Sequence, residues 1–164
     1  MGALYVRSGI SLEPLIHGAG HESGRRAGTE SALLATALGT ASALAADLTS
    51  MDPVCRLRDE LWRGLESRCG IRVTLNGHPD RRLPNTLNVS FVGHTGADIL
   101  AAVKEIAAST GSACHSGRVE LSPVLRAMGV SEEVGRGAIR FSLGRGTTEA
   151  DVQTAIERIS AAVP

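Results

Sequence analysis

Aromatic side chains are almost absent from this sequence of 164 residues. One Trp, one Tyr and two Phe make up 2% of it. A core must therefore be built from Leu, Ile, Val and Ala, and the hydrophobic content of 43% is enough for one. Neither sign of charge dominates, with 17 basic and 17 acidic residues. That balance removes the electrostatic argument for binding nucleic acid or a membrane surface. Long hydrophobic runs are lacking too. The most apolar stretch, 32–46, is interrupted by Thr and Ser and closed by Asp47. It is too short and too weakly hydrophobic to span a bilayer. The first residues, MGALY, lack the basic region and cleavage site of a signal peptide. Cysteine occurs three times, at positions 55, 69 and 114, with no CxxC pair. An odd count at wide spacing argues against a disulfide framework and against structural zinc, and points to a reducing, cytoplasmic compartment. Lysine occurs once, as Lys104.

What is present alternates between helical and extended patterns, and the length suits one domain or one domain plus a piece of another. Residues 2–7 (GALYVR) predict a short strand. Residues 8–28, rich in Gly, Ser, Arg and His, predict a long irregular connection, which is uncommon unless functional. Thr29 is a good N-cap for a helix carrying Leu34, Leu38, Ala41, Leu44 or Ala45, and Leu48. Asp52-Pro53 predicts the start of a second helix, with Val54, Leu57, Leu61 and Leu65 inward and Gly70 beyond its end. Residues 71–75 and 87–92 read as strands, the latter with Leu87, Val89 and Phe91 on one face. A helix is expected over 96–105. Ser122-Pro123 predicts a short helix with Val124, Leu125 and Met128 inside and Gly129 as its stop. In 138–143, Ile139, Phe141 and Leu143 share one face and Arg140 and Ser142 the other. Thr148 and Asp151 form a capping-box pattern that opens a last helix, with Val152, Ile156, Ile159 and Val163 on one side.

Three places could carry chemistry. Cys114 lies in STGSACHSG, a run with only Ala113 as an apolar neighbour. A buried structural thiol is the usual role for Cys, but an accessible loop suits a nucleophile, which must reach its target. Arg140 is either a solvated strand residue or a guanidinium fork for a carboxylate. The segment GRRAGT, ending at Thr29, precedes a helix whose N-terminal N–H groups suit a phosphate, and Gly28 permits close approach. The simpler alternative for Thr29 is a cap. His17 and His21 are separated by Gly-Ala-Gly, and no pattern completes a metal site with them.

The stretches GALYVR, LIHGAGHESGRRAGTES, RLPNTLNVSF, ASTGSACHSG, SPVLRAMG and AIRFSLGRGTTEADV, in this order, resemble the C-terminal part of class-I cysteine desulfurases, with selenocysteine lyases as close relatives. The resemblance runs from Gly2 to the end of the sequence. It implies an α/β fold: the end of the large domain of a fold-type-I pyridoxal phosphate (PLP) transferase over 1–49, and a small domain with the Cys loop over 50–164. It implies an enzyme that takes sulfur from L-cysteine, leaving L-alanine and a persulfide for an acceptor such as an iron–sulfur scaffold protein. By resemblance, Cys114 is the catalytic thiol, Arg140 holds the substrate α-carboxylate, and Thr29 contacts the PLP phosphate of the partner subunit in a homodimer. No nucleic acid or membrane is implied.

The sequence departs from this family in small ways, with Ser31 where many relatives have Asn and Ala19 where many have Gly, and in one serious way. The lysine that binds PLP covalently lies just before GALYVR in the family, and Lys104 sits in an unrelated motif. The chain alone is therefore expected to be inactive, since that attachment needs a lysine amine. A chain using Cys114 as a persulfide carrier without PLP is the alternative. His115 after the Cys resembles the CHS of selenocysteine lyases, which leaves the choice between sulfur and selenium open.

Overall fold

The computed structural model describes residues 1–110 and 121–163. The chain divides into two compact units, Met1–Leu48 and Thr49–Pro164. The first unit is mostly irregular. Residues 2–7 form no strand, contrary to the expectation from their composition. A strand needs a neighbour to take its backbone N–H and C=O groups, and none pairs with this segment among the described residues. Tyr5 is 87% exposed. A 3-10 turn, His21–Gly24, holds Glu22 and Ser23 at φ 52° and 59°, a left-handed region costly for residues with a Cβ. Helix α1 (Ala32–Ala45) is capped by Ser31, whose Oγ accepts from the Leu34 amide at 3.3 Å. Thr29, the expected cap, lies two residues too early. None of the residues of α1 is buried.

The second unit contains the core. Helix α2 (Met51–Cys69) begins two residues before Pro53, the expected first helical residue, which falls in its first turn. It ends at Gly70, whose φ of 56° is a left-handed value that favours glycine. Strands β1 (Val73–Leu75) and β2 (Thr86–Phe91) follow, then helix α3 (Gly96–Ala102). Two short helices, α4 (Pro123–Ala127) and α5 (Glu132–Gly135), precede strand β3 (Ala138–Ser142) and the final helix α6 (Glu149–Ala161). The strands form an antiparallel sheet in the order β1-β2-β3. Leu87, Val89, Phe91, Ile139 and Phe141 turn one face of it into the core, where Val54, Leu61 and Leu65 of α2 and Val152, Ile156 and Ile159 of α6 cover it.

Some expected core positions are exposed. Ile71 is 98% exposed, because β1 begins two residues later than its composition suggested. Val124 and Met128 face solvent, and only Leu125 of α4 is buried, in a small cluster with Leu121 and Ala138. Helix α3 ends at Ala102, so Lys104 falls beyond it and is exposed.

A few polar contacts fix the frame. The Arg72 guanidinium donates to Val163 O at 2.9 Å and Cys69 O at 3.3 Å, so one cation satisfies carbonyls at the C-terminal ends of both α6 and α2. Arg58, 5% exposed, donates to Leu83 O at 2.9 Å and to Asp59, which pins the connection before β2 onto α2. The capping box of α6 is complete: Thr148 Oγ1 accepts from the Asp151 amide, and the Asp151 carboxylate accepts from the Thr148 amide at 2.8 Å.

Two consequences are measurable. A Cβ on Gly137 would lie 2.8 Å from Phe91 C and 2.9 Å from Phe91 N, and backbone cannot rotate aside. Gly137→Ala should therefore cost about 1–3 kcal/mol in urea denaturation, whereas Gly144→Ala, with nothing within 4 Å, should stay within about 0.5 kcal/mol of the parent. The Thr148 amide, then its hydroxyl, holds the Asp151 carboxyl below its ordinary value of 3.8. A depressed carboxylate contributes stability above that value and loses it as pH falls through the folded value. Acid denaturation of Asp151→Asn should lack this component, so the gap between parent and variant should narrow on acidification below pH about 4.

Candidate active site on the polar face of the sheet

Alternation in β2 and β3 places Asn88 and Arg140 on the face opposite the core, and Arg140 is exposed. Their positions are opposed in the register. On its other side Arg140 meets Ser109. Arg140 N donates to Ser109 O at 2.6 Å, and Ser109 N donates to Arg140 O at 3.1 Å. Because Arg140 exchanges both backbone bonds with Ser109, its pairing with Asn88 is the non-hydrogen-bonded kind. Such pairs bring Cα atoms to about 4.5 Å and side chains closest together. Asn76, just past β1, donates its amide to Asn88 O at 2.9 Å and extends the row. The result is a polar row across the sheet in the order Asn76, Asn88, Arg140, Ser109.

The row is held from one end. Asn76 Nδ2 donates to Asn88 Oδ1 at 2.7 Å and to Ser90 Oγ at 2.8 Å, and Ser90 is fully buried. Among the described residues no hydrogen bond or ion pair occupies the Arg140 guanidinium, and a planar fork with five N–H donors on an approachable polar face suits a carboxylate. At the other end, Ser109 begins the STGSAC segment. Cys114 itself lies outside the described residues. What the fold does establish is where its segment is rooted: Ser109 is paired to Arg140 before it, and Leu121 is buried against Ala138 after it, so both roots lie on β3.

Thr29 is exposed in the first unit, two residues before the cap of α1. Gly28 has φ 110°, and a Cβ there would approach Arg26 Nη1 at 3.2 Å. Glycine, the neighbouring arginines and the free amides of a 14-residue helix form a donor set that fits a phosphate. Glu30 is drawn the other way: its own backbone amide, then that of Glu22, hold its carboxyl below the ordinary value of 4.5. Lys104 lies in the second unit, exposed beyond the end of α3. Among the described residues no group of three His, Cys, Asp or Glu could hold a metal ion, and no single helix is long and apolar enough to cross a membrane.

The aminotransferase class-V family model matches residues 2–154, and the chain belongs to that family of enzymes. Within it, the similar curated proteins are cysteine desulfurases. The chain is 43% identical to cysteine desulfurase IscS of Colwellia psychrerythraea (strain 34H) over 99% of its own length and 41% of that protein's. It is 44% identical to the IscS of Vibrio cholerae serotype O1 over the same shares. The chain thus spans about 41% of these relatives. Among solved structures, a NifS-like protein from Rickettsia africae ESF-5 matches with TM-score 0.81 at 29% identity, covering 93% of this chain and 40% of that one. A second NifS-like protein matches with TM-score 0.79 at 30% identity, over 96% of this chain and 40% of that one. The mixed α/β fold expected from the sequence is the fold these proteins share with the chain.

Reading the sequence singled out Arg140 but not Asn76, Asn88 or Ser90. One signal was available: the alternation that sends Leu87, Val89 and Phe91 inward sends Asn88 and Ser90 to the face of Arg140. The Arg140–Ser109 pairing should be visible as slow amide exchange at Arg140. Ser109→Pro, which removes the reciprocal donor, should lower that protection by about 1 kcal/mol, roughly tenfold or less in exchange rate. Fast exchange at Arg140 in the parent chain would contradict the pairing.

Proposed function

We propose that this chain forms part of a cysteine desulfurase, providing the nucleophile Cys114, the carboxylate-binding residue Arg140 and the phosphate-binding segment around Thr29. The observation that carries the reading is the polar row, in which the backbone of Arg140 is paired with Ser109 at the root of the Cys segment, in a chain 43% identical to desulfurases over 99% of its length. Residues 1–49 would belong to the large PLP domain and 50–164 to the small one.

In this reading Arg140 holds the substrate α-carboxylate by a charge-assisted fork and so fixes the amino acid beside the segment that begins at Ser109. The thiolate of Cys114 attacks the sulfur of L-cysteine. L-cysteine and the enzyme thiol become L-alanine and the enzyme persulfide, with no external oxidant or reductant. Attack on sulfur depends on access and on thiolate character. PLP, when bound, supplies the electron sink that lets the carbon–sulfur bond break. Thr29, Gly28 and the α1 amides would hold its phosphate from the partner subunit of a homodimer. The persulfide then passes to an acceptor protein such as an iron–sulfur scaffold, in the cytoplasm.

The test uses protein isolated from its native source with whatever chains accompany it. Incubation with L-cysteine should yield L-alanine and add the mass of one sulfur atom at Cys114. Cys114→Ser should abolish desulfuration while PLP stays bound. Alanine formation that survives this change would refute the assignment. Sulfur on Cys114 only from an outside donor, with no alanine, would make the chain a carrier instead. Arg140→Ala should lower kcat/KM for L-cysteine roughly ten- to a hundredfold, mainly through KM, as expected for a lost hydrogen bond to a charged group. An unchanged KM would make Arg140 an ordinary strand residue.

A further inference from the structure

Asn88 stands between two groups that constrain it. On one side, Asn76 Nδ2 donates to its Oδ1 at 2.7 Å. That bond orients the Asn88 amide: it turns Oδ1 toward Asn76 and Nδ2 away from it. Asn76 is itself fixed by a second bond to the buried Ser90 Oγ at 2.8 Å. On the other side lies Arg140, directly opposed in the register and paired so that the two side chains lie close on one face. The two N–H groups of Asn88 Nδ2 have no acceptor among the described residues, and Nδ2 is not shut away from solvent. The Arg140 guanidinium offers only donors. Its N–H groups beside those of Asn88 Nδ2 form a place that an anion with several lone pairs satisfies better than a neutral amide does.

We propose that Asn88 is a second carboxylate-binding residue: its Nδ2, aimed by Asn76, donates to the same carboxylate that Arg140 grips. This rests on the reading of Arg140 given above and deepens it. Arg140 supplies the charge. Asn88 supplies a donor whose direction is set by a rigid strand and two hydrogen bonds, which a long, exposed arginine lacks by itself. The ligand class is an amino acid with a free α-carboxylate. A carboxamide would turn an N–H group toward this row of donors and be rejected.

The experiment is a titration of the full chain with L-alanine, followed in proton–nitrogen correlation spectra at the Asn88 side-chain amide and the Arg140 Nε–H. L-Alaninamide at matched ionic strength serves as control. Both signals should shift saturably with one apparent Kd for L-alanine and stay still with L-alaninamide. Asn88→Ala, with an otherwise unchanged backbone spectrum, should raise the Kd read at Arg140 about tenfold. Asn88→Asp should abolish the response at Arg140, because the new carboxylate occupies the guanidinium. A saturable shift at Arg140 with none at Asn88 would overturn this inference and leave the reading of Arg140 standing. No shift at either would overturn both, and an equal response to L-alaninamide would overturn the carboxylate assignment.

Discussion

The antiparallel pairing of β2 with β3 is the constraint on which the rest of the second unit depends. Val89 lies opposite Ile139, Leu87 opposite Phe141, and Asn88 opposite Arg140. Strand side chains alternate with a period of two, so a slip of one residue would exchange the faces. Leu87, Val89, Phe91 and Ile139 are fully buried, and such a slip would carry them into water. At roughly 1.5–3 kcal/mol per large apolar side chain, the alternative register is excluded by burial alone. The polar row is thus a by-product of the core. The side chains that face α2 and α6 decide where Arg140 stands and which residue lies beside it.

The helices that enforce this register are themselves held closely. Gly64 of α2 lies against Ile156 of α6, where an added Cβ would fall 2.8 Å from Ile156 Cγ1. The two helices approach over a position that has no side chain, and Arg72 binds carbonyls at both their C-terminal ends. Packing without a gap matters in a core so poor in aromatics, where many small aliphatic contacts must replace a few large ones.

Strand periodicity was legible in the sequence because burial of one face leaves a period of two that no other element produces. Leu87, Val89, Phe91 and Ile139, Phe141, Leu143 were all read correctly as inward-facing, and so was the Thr148–Asp151 capping box, a local pattern with local partners. What failed depended on neighbours. Residues 2–7 have strand composition but no strand to pair with, and Val124 and Met128 follow a helical pattern on a helix too short to bury both sides. The start of α1 was misplaced because Thr29 and Ser31 are equally good caps by composition, and only geometry selects Ser31. Asn88 was passed over for the same reason. An Asn in a strand carries no signal alone, and its interest comes from Asn76 and Arg140, which the fold brings together from three parts of the chain.

The double backbone bond between Arg140 and Ser109 has a chemical implication that side-chain inventories miss. In the proposed reading, a carboxylate-binding group and a nucleophile must keep a common frame if the nucleophile is to meet an atom of the same small ligand. Here the guanidinium is on a central position of β3, whose register is fixed by the core, and the segment leading to Cys114 departs from the residue paired with it. An error in the position of Arg140 would therefore be shared by the root of that segment, which preserves their relative placement. The return at Leu121, buried against Ala138 only two residues earlier on the same strand, ties the other end to the same frame. Both roots of the segment are thus set by one strand, whose register the core fixes.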